Sequence, residues 1–227
     1  MLVIAPDILT PEEVARCRAV LEGASWVDGR VTAGVQSART KHNLQAPEGS
    51  DEARELGNLV LRALGRSPTF NAAALPHRVF PPLFNRYDVG MGFGTHVDNA
   101  IRPMPGGGAR IRTDVSTTLF LSEPDDYDGG ELVIQGPAGD QAIKLKVGSA
   151  VIYSADTLHR VQPVTRGSRW ASFFWTQSMV KDAGQRALLY DLDLNIQDLR
   201  QTLGDDHPGV LRLTATYHNL IRRWAEL

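Results

Sequence analysis

Hydrophobic positions follow a helical period at the two ends of the chain and a strand-like one in the middle. Near the amino terminus Val14, Cys17 and Val20 or Leu21 recur every three or four residues, so they share one helical face. Thr10-Pro11-Glu12-Glu13 supplies the start: Thr10 caps, Pro11 suits the first turn and Glu13 completes a capping box. That helix is expected to run to about Gly23, with Cys17 as a small core residue. A second helix is predicted over 51–65 from Ala53, Leu56, Val60 and Leu64, with Gly65 as its stop. Residues 68–82 read as a connector, and His77 within it as an exposed loop histidine.

From Pro81 the apolar runs shorten. Strands are predicted over 81–87, 114–121, 130–135, 141–147, 149–153 and 169–177, separated by turn signals. Gly90, Gly92 and Gly94 read as a flexible loop, and the proline- and glycine-rich stretch 99–110 as a mobile lid. The acidic run Asp125 to Asp128 reads as a solvated turn, since it lacks the later glutamate of a calcium loop. Between Ala24 and Pro47 the chain is turn-rich, with 40–45 a polar strand that carries Lys41 and His42 on a solvated face.

Beyond Met179 the helical period returns. Ala187, Leu188, Leu192, Leu194, Ile196, Leu199 and Leu203 form one stripe ended by Gly204, and Val210 to Trp224 form another. The expected division is a β unit with amino-terminal helices over 1–178 and a helical extension over 179–227. Two such helices either pack on the β core or mediate a homo-oligomer, and His207 and His218 on them read as structural or exposed.

Composition narrows the class. Hydrophobic residues at 42% and charged ones at 22% fit an ordinary globular chain with a substantial core. A formal charge of -2 speaks against a nucleic-acid partner, which usually demands a basic excess. Cys17 is the single cysteine, so no internal disulfide forms, as in a reducing compartment. The apolar start, Met1 to Ala5, lacks a basic flank and is cut by Pro6, and no stretch approaches membrane-spanning length. A cytoplasmic location with no membrane contact is the expectation.

The candidate chemistry sits in 85–98, which ends in His96-Val97-Asp98. On an extended backbone residues i and i+2 project from one face, so this imidazole and carboxylate can converge on one ion. His159, at the end of the apolar run from Gly148, can be the third ligand. Two imidazoles and a carboxylate on one face of an octahedral ion leave three positions open, as in non-haem Fe(II) oxygenases. A 2-oxoacid chelates through its carboxylate and keto oxygen, and the far carboxylate of 2-oxoglutarate needs a cation. Arg169, ten residues after His159, suits that task, because a guanidinium forks onto a carboxylate and stays charged when buried. Asn85 and Tyr87 share a strand face from which an amide and a phenol can hydrogen-bond the same molecule. Tyr153, six residues before His159, can line that pocket or simply fill the core.

With Asn85-Arg86-Tyr87, His96-x-Asp98, His159 and Arg169 in this order, residues 1–180 resemble the Fe(II)/2-oxoglutarate dioxygenases, and among them the prolyl 4-hydroxylase-like PKHD-type hydroxylases. The resemblance implies a double-stranded β-helix, or jelly roll, with the metal inside its open end. It also implies Fe(II) at His96, Asp98 and His159, 2-oxoglutarate as cosubstrate and L-ascorbate as reductant. The reaction implied couples oxidative decarboxylation of 2-oxoglutarate, to succinate and carbon dioxide, with hydroxylation of a small molecule, peptide or protein. Specificity is expected in the 99–110 stretch and the 38–45 strand.

Three rival readings start from the same residues. A nucleic-acid dealkylating oxygenase would carry a second arginine six residues after Arg169, where Trp175 stands instead. A zinc hydrolase can use two histidines and a carboxylate but leaves Arg169 without a task. A non-catalytic jelly-roll binding protein has no need to retain all three ligands.

Overall fold

The computed structural model describes residues 1–32, 34 and 37–227. In chain order it runs β1 (Leu2–Ala5), α1 (Pro11–Glu22), β2 (Val27–Asp28), β3 (Lys41–His42), β4 (Leu44–Gln45), α2 (Asp51–Arg66) and α3 (Pro68–Ala74). The middle of the chain is β5 (Pro76–Val79), β6 (Leu83–Tyr87), β7 (Gly92–His96), β8 (Ile101–Pro103), β9 (Arg110–Arg112), β10 (Val115–Phe120), β11 (Asp128–Gly129), β12 (Leu132–Gly136) and β13 (Gly139–Ile143). It closes with β14 (Ala150–Ser154), β15 (His159–Val161), β16 (Val164–Arg166), β17 (Arg169–Ser178), α4 (Ala183–Leu203) and α5 (Pro208–Trp224).

Two antiparallel sheets face each other. Among the described residues the larger has eight strands in the order β1-β14-β10-β17-β6-β4-β2, with β5 also on β17. The smaller has the order β13-β12-β15-β7-β3. Tyr87, Phe120, Tyr127, Leu132, Ile134, Val151, Tyr153 and Val161 fill the space between them. The outer face of the larger sheet, including Phe84, Val115, Leu119, Ile152, Trp170 and Phe174, packs on the helices through Cys17, Leu21, Leu56, Val60, Leu64 and Phe70. Alternate residues of one strand therefore serve two cores. This is the mainly β architecture with flanking helices that the sequence predicts, and the fold is a jelly roll.

The capping box forms as expected: Thr10 Oγ1 accepts from the Glu13 backbone N–H, and Glu13 accepts from the Thr10 backbone N–H. The helix over 51–65 instead passes through Gly65 to Arg66, because the stop is Pro68, which excludes helical backbone at Ser67. Ser67 then caps α3, so the expected connector holds a short helix and a strand, with His77 half-buried on that strand. Gly92 and Gly94 belong to β7 rather than to a loop. A Cβ at Gly94 would lie 2.7 Å from Thr40 Cβ, so the glycine permits the neighbouring chain to approach. The stretch 99–110 is not irregular. It enters a hairpin of β8 and β9 whose turn uses Gly106, Gly107 and Gly108, all with positive φ. Of the turn-rich reading over 24–47, residues 33, 35 and 36 lie outside the described residues.

The carboxy-terminal helices pack on the rest of the chain. Leu189 of α4 meets Leu75 and Val180, flanked by Tyr217, Leu220, Ile221 and Trp224 of α5. Arg186, 2% exposed, donates to the Val180 and Lys181 carbonyls at 2.8 and 2.7 Å and ties α4 to the end of β17. Among the described residues no helix is long and apolar enough to cross a membrane.

Candidate active site

β7 and β15 are antiparallel neighbours in which His96 and His159 stand directly opposite each other. Their rings lie 4.2 Å apart between centroids, and Asp98 follows two residues beyond the end of β7. One ligand atom from each of His96, Asp98 and His159 falls within 4.8 Å of the other two. Backbone carbonyls orient both rings: His96 Nδ1 lies 2.8 Å from Gly94 O and His159 Nδ1 lies 2.9 Å from Thr157 O. With Nδ1–H donating, each Nε2 lone pair is left for an ion. Burial and the adjacent His159 push the His96 pKa down to about 4, which keeps its imidazole neutral. Asp98 is held from the larger sheet, where Ser116 Oγ donates to its Oδ2 at 2.5 Å. Two imidazoles and one carboxylate on a single wall suit a divalent ion with open positions.

Arg169 begins β17 opposite Tyr87 on β6, and Asn85 lies two residues along the same face. Its guanidinium is 1% exposed and its Nε has no hydrogen-bond partner. No carboxylate pairs with it among the described residues. Its carbon instead lies 5.4 Å from the Tyr87 ring centre and 5.2 Å from that of Phe120. A buried cation without a counterion calls for an anion in the same pocket. Asn85 Oδ1 is likewise buried and unpartnered, and burial raises the Tyr87 and Tyr153 phenol pKa values, leaving both as neutral donors. The three cluster residues, Arg169, Asn85, Tyr87 and Tyr153 all line one cavity between the sheets.

Lys41 does not lie on a solvated face. It is 6% exposed and lines this cavity, since β3 pairs with β7 so that Lys41 lies opposite Phe93, while His42 remains exposed as expected. Its Nζ donates to Gln45 Oε1 at 2.7 Å, and burial pushes its pKa down to about 8. Arg102, Phe93, Phe173 and Trp175 also line the cavity, as do Ser116 and Thr118. None of these was singled out for a site, because no motif marks them. Their alternation on strands was the only available signal, and it does not say which face turns inward.

Residues 82–177 match the 2OG-Fe(II) oxygenase superfamily, and residues 183–226 match the PKHD-type hydroxylase C-terminal domain. A PKHD-type hydroxylase of Methylobacterium nodulans is 65% identical over 227 residues, covering all of both chains. Among solved structures, a 2OG-Fe(II) oxygenase family oxidoreductase from Burkholderia pseudomallei shares the fold with a TM-score of 0.57 at 16% identity, over 78% of this chain and 85% of that one. HygX of Streptomyces hygroscopicus, solved with nickel and 2-oxoglutarate bound, has a TM-score of 0.54 at 14% identity, over 78% of this chain and 82% of that one.

Proposed function

Since the chain belongs to the PKHD-type hydroxylases of the 2OG-Fe(II) oxygenase superfamily, we propose that it hydroxylates a small molecule, peptide or protein while converting 2-oxoglutarate to succinate and carbon dioxide. The observation that carries this reading is the Arg169 guanidinium, which has no carboxylate partner among the described residues and is buried in the same cavity as the His96, Asp98 and His159 cluster. A cation so enclosed has no task in a zinc hydrolase, and it is the partner that the far carboxylate of 2-oxoglutarate requires.

Bound at His96, Asp98 and His159, Fe(II) would supply the activation of dioxygen that attack on a C–H bond needs. The remaining work belongs to side chains of this chain. Arg169 receives the far carboxylate through two parallel charge-assisted hydrogen bonds, and the Tyr87 hydroxyl and the Asn85 amide add donors along the same wall. Ser116 fixes which oxygen of Asp98 faces the ion, and the carbonyls of Gly94 and Thr157 hold both imidazoles in one tautomer. Phe93, Phe173 and Trp175 keep water from the reacting centre. Ascorbate as reductant and a cytoplasmic location belong to the same proposal.

The test is an anaerobic titration of the purified protein with Fe(II) and then 2-oxoglutarate, followed by visible absorption. A weak charge-transfer band is expected in the wild type. Iron binding without any band would return the zinc-hydrolase and binding-protein readings to the front.

A further inference from the structure

The cavity holds more positive charge than the proposed cosubstrate can use. Its lining carries three basic side chains, Lys41, Arg102 and Arg169, against the carboxylate of Asp98. On the reading above, which this inference rests on, Asp98 and one carboxylate of 2-oxoglutarate match the divalent ion, and the other carboxylate matches Arg169. Beyond these, Arg102 faces Glu48 at 3.5 Å, and Lys41 lies near enough to Arg102 and Glu48 to feel both charges.

Arg102 is built into this position. It lies on β8 opposite Ile111 of β9, so the two side chains share the inner face of the hairpin. Ile111 enters the core beside Phe80 and Trp175, and Arg102 lies over the same two rings, 4.9 and 4.3 Å from their centres. Its side chain is 12% exposed, its Nε has no partner, and its contact with Glu48 is long at 3.5 Å. Lys41 approaches the same wall, with Nζ 5.7 Å from the Phe173 ring centre, and Phe173 meets Trp175 edge-to-face. Phe93 continues that wall to the cluster by stacking on His96 at 3.6 Å. A shelf of three aromatic rings thus leads to the proposed iron, with Lys41 beside Phe93 and Phe173 and Arg102 over the neighbouring Trp175.

We propose that Lys41 and Arg102 are the substrate's anion subsite, and that the molecule hydroxylated carries a carboxylate on a flat apolar body that lies along Phe93, Phe173 and Trp175. The carboxylate bridges the two cations and displaces Glu48 from Arg102. The body presents its C–H bond toward His96 and His159.

The experiment uses protein loaded with Zn(II) and N-oxalylglycine, an unreactive analogue of 2-oxoglutarate, and reads ligand binding by saturation-transfer NMR. The probes are 3-phenylpropionate against 3-phenylpropionamide, and acetyl-Phe-Asp-amide against acetyl-Phe-Asn-amide. Wild type is expected to prefer the acid of at least one pair by about tenfold, the lower end for a hydrogen bond to a charged group. Preference confined to the first pair assigns the carboxylate to a free small acid, and preference confined to the second assigns it to a peptide side chain. In Arg102→Gln and Lys41→Gln the acid-to-amide ratio falls toward one, and Arg102→Lys restores part of it. A purely structural role for Arg102 would weaken acid and amide alike and leave that ratio unmoved. Equal binding of acid and amide by wild type, or binding of neither acid, overturns the inference. Failure of N-oxalylglycine to bind would instead overturn the cosubstrate reading.

Discussion

Replacing Arg169 by Met should move two free energies in opposite directions. In the free protein Arg169 is 1% exposed, has no carboxylate partner among the described residues, and lies against the rings of Tyr87 and Phe120 at 5.4 and 5.2 Å. Burying an unpaired cation costs several kcal/mol, and two ring faces return about 1–2 kcal/mol. Methionine fills much of the same length without a charge, so the variant should unfold in urea at a midpoint no lower than the wild type. Binding of 2-oxoglutarate goes the other way. Two hydrogen bonds to a charged group, at about 1.5–3 kcal/mol each, are lost, and the dissociation constant should rise about 10²- to 10⁴-fold. Urea melts with Mn(II), without and with 2-oxoglutarate, read both effects. At a hundred times its dissociation constant the ligand should stabilise the wild type by about 2.7 kcal/mol and the variant by less than about 0.5 kcal/mol. A variant that loses more than about 1 kcal/mol without ligand, or that gains as much from 2-oxoglutarate as the wild type, would refute the reasoning.

Other perturbations probe the surrounding residues. Ser116→Ala removes the hydrogen bond to Asp98 Oδ2 and should weaken metal binding by roughly 10- to 100-fold in a chelator competition, without unfolding the protein. Lys41, with its pKa pushed down to about 8, binds fewer protons folded than unfolded between about pH 8 and its ordinary value. Wild-type stability should therefore rise with pH across that window relative to Lys41→Met, by roughly 2–3 kcal/mol, and a flat difference would count against a charged, buried Lys41. Cys17 is fully buried with its thiol pushed up to about 12, so a thiol reagent at pH 8 should leave the native protein unlabelled and modify it only in denaturant.

The sequence by itself determined whatever depends on neighbours along the chain. Thr10 to Glu13 state the capping box in four residues, and the stripes of α2, α4 and α5 repeat within each helix, so their existence was legible. Candidate ligands His96, Asp98 and His159, and Arg169 with them, could be named because their chemistry is rare and their order distinctive. Local rules misled where long-range pairing won: Gly92 and Gly94 look like a loop until β3 and β15 flank them, and 99–110 looks irregular until β8 finds β9. Tertiary structure alone decided which face of each short strand turns inward, because a one-residue slip in pairing exchanges the two faces. Lys41 is the clearest case. A lysine on a two-residue strand of polar neighbours reads as solvated, yet the register that sets it opposite Phe93 buries its ammonium in the cavity. Ser116 and Arg102 reach the site in the same way, from strands whose own sequences contain nothing that points to it.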